Sequence, residues 1–304
     1  GVIQELKERG AKNGVPDLQI IEDREELLRM EPNLNGEAVA ALHAPTAAIT
    51  SPYELAIAMA ENAMENGVKI LLDTEVTSVM VKKGELRSVQ TSKGRIETNY
   101  VVNAAGLQAD EVSAMAGIDR FAIHPIKGEY CVFDKELNGF VQHILFPVPS
   151  LVSKGIVVTP TVDGNVLIGP NANNVKDKND SATTSRGLDE VFSGALRLIP
   201  KLAEKKNMII ANFCGLRPEP DTNDFILESY DEARGFVNAA GMRSPGLTAA
   251  PAVAQTVTDL LRKSGLELRE KNSFSALRKP IDRSVRRFAL ERAKWLIAQD
   301  PTWG

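Results

Sequence analysis

The chain has 304 residues, enough for one large domain or two medium ones with ample core. Its hydrophobic fraction of 43% fits a globular protein, and its net charge of -4 gives no reason to expect nucleic acid as a partner. No apolar run reaches the length of a membrane span. Cys131 and Cys214 are too few and too far apart for a disulfide framework or a structural zinc site, so a reducing cytoplasm is expected.

Residues 2–9 predict a short amphipathic helix ended by Gly10 and Gly14. It reads as the remainder of a longer helix. With the abrupt ending AQDPTWG, it leads us to expect truncation at both ends. Asp23 followed by Glu26 predicts a capped helix, EELLRM, closed before Pro32. Ser51-Pro52-Tyr53-Glu54 predicts the start of a longer one, YELAIAMAENAMEN, stopped at Gly67. VKILLD reads as a short apolar strand. VTSVMV, ELRSVQT and RIETNYVVN, separated by the turns KKGE and SKGR, predict a β-meander. The meander runs into Asn103-Ala104-Ala105-Gly106 and a helix over DEVSAMAG.

Residues 121–170 are strand-rich: AIHPIKGEYCVFD, QHILFPV, GIVVTPT and NVLIGP. A polar loop, NANNVKDKNDSATTS, leads to a helix over GLDEVFSGALRLI. NMIIANFCGLRP predicts a strand, DFILES and GFVNAAG a hairpin, and LTAAPAVAQTVTDLLRKSG a long helix. The tail predicts one more helix, SVRRFALERAKWLIAQ. His43, His124 and His143 show no ligand spacing, and no metal site is predicted. The expected organisation is an interleaved α/β body of segments 1–120 and 216–268, a β-rich α+β domain over 121–215 and an extension over 269–304.

Three stretches can carry chemistry. VVNAAG ends an apolar strand in small residues, which lets a ligand or another backbone approach closely; on pattern alone an ordinary tight strand-to-helix turn is the preferred account of it. In AGMRSPGLTAAPAVAQ a strand end feeds a Gly-rich turn and a helix start. Free N–H groups at such a start suit an anion or an electron-rich ring edge. In FCGLRPEPDTND, Arg217 sits between a strand and two prolines, held rigidly enough to clamp a carboxylate or phosphate. The alternative is a salt bridge to Asp221 or Asp224.

Taken in order, EPNLNGEAVAALHAPTAAIT, VVNAAGLQAD, IHPIKGEY, FCGLRP and VNAAGMRSPGLTAAPAVA resemble the FAD-dependent D-amino-acid-oxidase-like superfamily. Within it they are most similar to the glycerol-3-phosphate dehydrogenase and L-2-hydroxyglutarate oxidase branch, over roughly residues 5–265. The resemblance implies an α/β fold: an incomplete, glutathione-reductase-like FAD-binding domain with a β-rich substrate domain. It implies that Val76 meets the adenine and that Ala104, Ala105 and Gly106 pass beside the FAD diphosphate. Gly215, together with Gly241, Met242, Arg243, Ser244, Pro245, Gly246, Leu247 and Thr248, would face the flavin. Arg217 would hold the substrate's anionic group, with Lys127 or Arg243 adding positive potential. His124 and Glu129 are the candidates for the base.

Two departures stand out. No G-x-G-x-x-G occurs, since no two glycines stand two residues apart. In relatives this fingerprint precedes the point where this chain starts, so weak or absent FAD binding is expected of this piece. Ser244-Pro245-Gly246-Leu247-Thr248 replaces the G-G-K-L-T-type turn of glycerol-3-phosphate dehydrogenases, which leans toward the 2-hydroxy acid branch. The tail resembles relatives that continue into a cysteine-rich iron–sulfur domain, which would lie beyond Gly304.

The implied reaction is hydride transfer from a small anionic secondary alcohol to flavin. Its expected partners are an electron-accepting subunit or that iron–sulfur domain, and its expected location is cytoplasmic or at the membrane periphery. The rival readings are an amine oxidase for glycine- or sarcosine-like substrates, and a non-catalytic module that docks an electron-accepting subunit.

Overall fold

The computed structural model describes residues 1–149 and 155–278, together with Trp295 and Ala298. The chain groups into two compact units, one of Gly1–Ser51 with Asp73–Leu268 and one of Pro52–Leu72 with Arg269–Gly304.

The first unit opens with helix α1 (Val2–Lys12), strand β1 (Gln19–Ile21), helix α2 (Arg24–Met30) and strand β2 (Ala41–His43), with β1 antiparallel to β2. The α1 helix passes through Gly10 and ends at Asn13 and Gly14. The Asp23 side chain caps α2 by accepting from the Glu25 and Glu26 amides. Just past α2, the buried Glu31 carboxylate accepts from the Gln142 and His143 backbone amides and meets His143 Nδ1 at 3.2 Å. Asn33 donates to the Phe140 carbonyl and Asn35 to that of Arg197. The EPNLN motif is therefore a clasp that ties this segment to the loops of the β-rich region.

In the second unit, helix α3 (Pro52–Glu65) has no buried residue, and Tyr53, Ile57 and Met64 are exposed. Asn62 and Asn66 donate to the Ser275 carbonyl, and Arg278 pairs with Glu61. The expected strand VKILLD does not form. Residues 68–73 are irregular, and Val68, Ile70, Leu71 and Leu72 are exposed. An apolar run becomes a strand only with a neighbour to share its backbone hydrogen bonds. The expected helix SVRRFALERAKWLIAQ lies outside the described residues, apart from Trp295 and Ala298.

The first unit resumes with the meander β3 (Val76–Lys82), β4 (Glu85–Thr91) and β5 (Gly94–Glu97), then β6 (Val101–Asn103) and helix α4 (Ala109–Met115). Strand β7 (Ile123–Phe133) begins the β-rich part, followed by β8 (Val157–Pro160), β9 (Val166–Gly169), β10 (Asn173–Asn174) and helix α5 (Ser185–Leu196). Strand β11 (Ile209–Pro220) runs antiparallel along β7; β12 (Ile226–Ser229), β13 (Phe236–Ala240) and helix α6 (Gly246–Lys263) close the unit. Of the expected strand QHILFPV only a single bridge forms, Leu145 to Val158.

Two sheets position the site. In the first, β10 and β9 lie on one side of β7 and β11 on the other. Phe133, Ile168, Val191 and Leu202 fill the core between this sheet and α5. The second has the order β12-β13-β6, with β13 and β6 parallel, and α6 packs Val253 and Val257 on Val237 and Ala239. Phe121 and Ile123, at the start of β7, pack with Ala109 and Ala240 of the second sheet's region, so the two sheets share a core.

Candidate active site

The turn after β6 lines a cavity of about 500 Å³. Its walls include Val76, Val101, Ala104 and Ala105, and Glu75, Gln108 and Glu111 add polar groups. Three of the predicted cofactor-binding positions, Val76, Ala104 and Ala105, thus meet at one cavity. Gly106 follows directly and begins a short 3-10 turn. The register of β3 against β4 shifts between Val76 and Ser78, so the ladder is interrupted where a ligand would meet this strand.

The second cluster lies on the β7–β11 sheet. Alternation along β7 sends Ile123, Pro125, Lys127, Glu129, Cys131 and Phe133 to the buried face, and His124, Ile126 and Tyr130 to the opposite, more open one. Arg217 pairs with Ile126 across the ladder and so stands on the open face. Its Nη2 donates to the Asn171 carbonyl at 2.6 Å, and its positive charge lies near Tyr130. Burial pushes the Tyr130 phenol up against the opposing pull of Arg217. The Tyr130 ring stacks on Phe213 at 4.8 Å. Gly128 makes this seat: a Cβ there would collide with the Arg217 guanidinium and come within 2.9 Å of Pro170. Opposite it, Gly215 has open space where a Cβ would stand. Gly128→Ala is therefore expected to unseat Arg217 and weaken anion binding about 10-fold while the fold survives, checked by anion titration and thermal unfolding.

Lys127 and Glu129 turn away from Arg217. Lys127 is 4% exposed; its ammonium pairs with Asp180 at 2.7 Å and donates to the Ala182 carbonyl, and the Asp180 bond raises its pKa. Glu129 is fully buried. Its carboxylate accepts from the Thr184 amide and hydroxyl and from Asn171 Nδ2, at the start of α5. Burial pushes this carboxyl up, but the bonds from Asn171 and Thr184 win, so it titrates below its ordinary 4.5. The Asn171 side chain holds Glu129 while its carbonyl holds Arg217, so one residue links the two faces.

The Gly-rich turn meets the end of β11. Gly241 has φ +66, and a Cβ there would overlap Pro220. Arg243 pairs with Glu219 at 2.5 Å, two residues beyond Arg217, and donates to the Asn223 carbonyl. His124 stands opposite Glu219 in the ladder. Arg243, Arg217 and His124 are thus gathered at one end of the β7–β11 ladder. No side chain caps the start of α6, and the Thr248 hydroxyl bonds back to the Pro245 carbonyl. Met242, Ser244 and Leu247 belong to the same turn and first helical residues.

Residues 2–260 match the family described as FAD dependent oxidoreductase (DAO). The chain belongs to that family. It is 40% identical over 299 residues to the glycerol 3-phosphate dehydrogenase of Caloramator mitchellensis, covering 98% of this chain and 61% of that protein. The chain thus spans less than two thirds of that relative's length. It is 34% identical over 184 residues to mouse mitochondrial L-2-hydroxyglutarate dehydrogenase, covering 56% of this chain and 39% of that one. The fold superposes with a TM-score of 0.82 on the dithionite-reduced, FAD-bound L-alpha-glycerophosphate oxidase of Mycoplasma pneumoniae, at 31% identity, covering 90% of this chain and 71% of that one.

The residues fit the FAD of this family of oxidoreductases. The cavity beside Val76, Ala104 and Ala105 has apolar valine walls for a flat base, and carboxylates able to accept from sugar hydroxyls. The turn 241–246 leads into an 18-residue helix whose first N–H groups carry partial positive charge. Among the residues that sequence reasoning missed are Tyr130 as partner of Arg217, and Asn171 and Thr184, which hold Glu129. No local pattern announces them, because Asn171 lies 42 and 46 residues from the groups it holds. The described residues include no helix long and apolar enough to cross a membrane.

Proposed function

We propose that the protein oxidises a small anionic secondary alcohol, with glycerol 3-phosphate as the first substrate to test and a 2-hydroxy acid the second. FAD, when bound, supplies the acceptor for the hydride that leaves the carbinol carbon. The Arg217 guanidinium, seated over Gly128 and steadied by the Asn171 carbonyl, is the observation that carries this reading. A fork fixed by one of its nitrogens keeps its other N–H groups for a phosphate or carboxylate, and fixes the carbon next to that anion. Arg243 is engaged by Glu219 and Asn223, so its role in the proposal is to hold the 241–246 turn against the substrate strand. Of the two base candidates on β7, only His124 shares the face of Arg217.

The likeness to a glycerol 3-phosphate dehydrogenase favours the phosphate ester, and the likeness to an L-2-hydroxyglutarate dehydrogenase keeps the hydroxy acid as the second reading. Anaerobic mixing of the intact flavoprotein with each candidate tests it, followed by loss of visible flavin absorbance. Glycerol 3-phosphate is expected to reduce the flavin fastest. Reduction by glycine or sarcosine alone would move the protein to the amine oxidases, and reduction by none of them would end the alcohol reading. The proposal includes an electron-accepting partner, a separate subunit or an iron–sulfur domain. Slow reoxidation by air beside fast reoxidation by an artificial acceptor is the expected sign.

A further inference from the structure

Two asparagines buried in the parallel strands form a chain of hydrogen bonds that reaches the cavity turn. Asn103 of β6 is 2% exposed and Asn238 of β13 is 0% exposed, and they are register partners. A buried amide is costly unless its polar atoms find partners. Asn103 Nδ2 donates to the Ala109 carbonyl at 2.7 Å and to Asn238 Oδ1 at 2.8 Å, while Asn103 Oδ1 accepts from the Ala105 amide at 3.2 Å. Asn238 Nδ2 donates to Ser113 Oγ at 2.9 Å and to Tyr230 Oη at 3.0 Å. The Tyr230 hydroxyl in turn donates to Glu228 Oε2 at 3.0 Å.

The direction of this chain is fixed at both ends. A carboxylate oxygen accepts, so the single Tyr230 proton goes to Glu228 and the Tyr230 oxygen must accept from Asn238. Asn238 Oδ1 is thereby turned toward Asn103. At the other end the Ala109 carbonyl only accepts and the Ala105 amide only donates, which demands the same orientation of Asn103. Burial keeps Tyr230 protonated, with its pKa pushed up to about 12, and the Arg120 guanidinium lies 5.2 Å from the centre of its ring. Every link therefore has one polarity, and the last link is the amide of Ala105, a residue that lines the cavity.

We propose that Asn238 is a positioning residue for the cofactor-facing turn 103–106. Acting through Asn103, it turns the Ala105 N–H into the protein and sets the small-residue wall against which FAD lies. The inference rests on the family's cofactor and is independent of the substrate proposed above.

Asn238→Asp tests it, because the two side chains are nearly isosteric and differ in donors. The carboxylate has no proton for Tyr230 or Ser113; the protonated acid regains one. Facing the new acid are Tyr230 and Ser113, with Glu228, Arg120 and Glu232 around Tyr230. FAD affinity of the stripped, intact protein is read by flavin fluorescence. It is expected to fall about 10-fold at about pH 8 and to recover toward about pH 5.5, since burial raises the pKa of an introduced acid. The unsubstituted protein is the control for any pH dependence of FAD binding itself.

Tyr230→Phe removes one oxygen and keeps the ring. It is expected to weaken FAD about 3-fold and to speed hydrogen exchange at the Ala105 amide. The proposal is overturned if Asn238→Asp binds FAD like the unsubstituted protein at both pH values, or is weakened equally at both. Should Asn238→Asp fail to fold, Tyr230→Phe decides alone: unchanged FAD affinity with unchanged Ala105 exchange overturns the proposal.

Discussion

Arg217→Met is expected to lower kcat/KM for the anionic substrate by about 100-fold, mostly through KM, while the protein keeps its FAD and its fold. A half-buried guanidinium that holds a carboxylate or phosphate in two parallel bonds contributes about 2–4 kcal/mol, or roughly 30- to 1000-fold. Part of that cost falls on the group left behind, because the Asn171 carbonyl loses its guanidinium partner. Arg217→Lys keeps the charge and loses the fork, so it is expected to recover part of the loss and leave about a 10-fold deficit. Steady-state turnover with glycerol 3-phosphate is the measurement, and glycerol is the control. An uncharged alcohol has no anion to lose, so its slow turnover should change little. Equal losses on both substrates would show that Arg217 shapes the fold of the site rather than the recognition of charge.

The sequence made some of this arrangement legible and hid the rest for identifiable reasons. Local signals worked where one turn or cap decides the outcome. Asp23 caps α2, and the KKGE and SKGR turns lie between the strands of the meander; the strand that carries Arg217, however, runs on through Pro218 to Pro220, so Arg217 stands inside it and not at its end. VKILLD has the composition of a strand, but strand formation is settled by a neighbour and no residue of the segment can report one. In IKGEY, alternation alone shows that Lys127 and Glu129 share a face and that Tyr130 takes the other. It does not show which face is open. That depends on α5 covering one side and on the pairing of Arg217 with Ile126, 91 positions apart in the numbering. The asparagines of VVNAAG and GFVNAAG carried a signal of their own, a polar residue at the matching place in two otherwise apolar strands. Their meaning became visible only when parallel pairing set them side by side.

Glu129→Ala is expected to destabilise the protein by about 3 kcal/mol, which separates a structural carboxylate from a catalytic one. Removing the acid strips the Thr184 amide of its acceptor in a site without solvent, leaves Asn171 Nδ2 only its longer bonds to the Gly187 carbonyl and Glu190, and takes a negative charge from the start of α5. Glu129→Gln keeps the shape and an acceptor, so about 1 kcal/mol is expected. Gly187→Ala supports the same reading, since its Cβ would overlap the Glu129 carboxylate. The pH dependence has a definite sign. The folded-state pKa of Glu129 lies below the ordinary 4.5, so its contribution is full above that value. It is lost as pH falls through the lower, folded value, and Asp110 and Asp180, also lowered, add to the same acid-side slope. Denaturant unfolding from neutral to acid pH should show Glu129→Gln with a shallower slope below about pH 4.5. A Glu129→Gln protein with unchanged stability, bound FAD and a missing limb in its kcat profile would return Glu129 to the role of base. Retained turnover with reduced stability would leave it as the clasp that, through Asn171, keeps Arg217 in place.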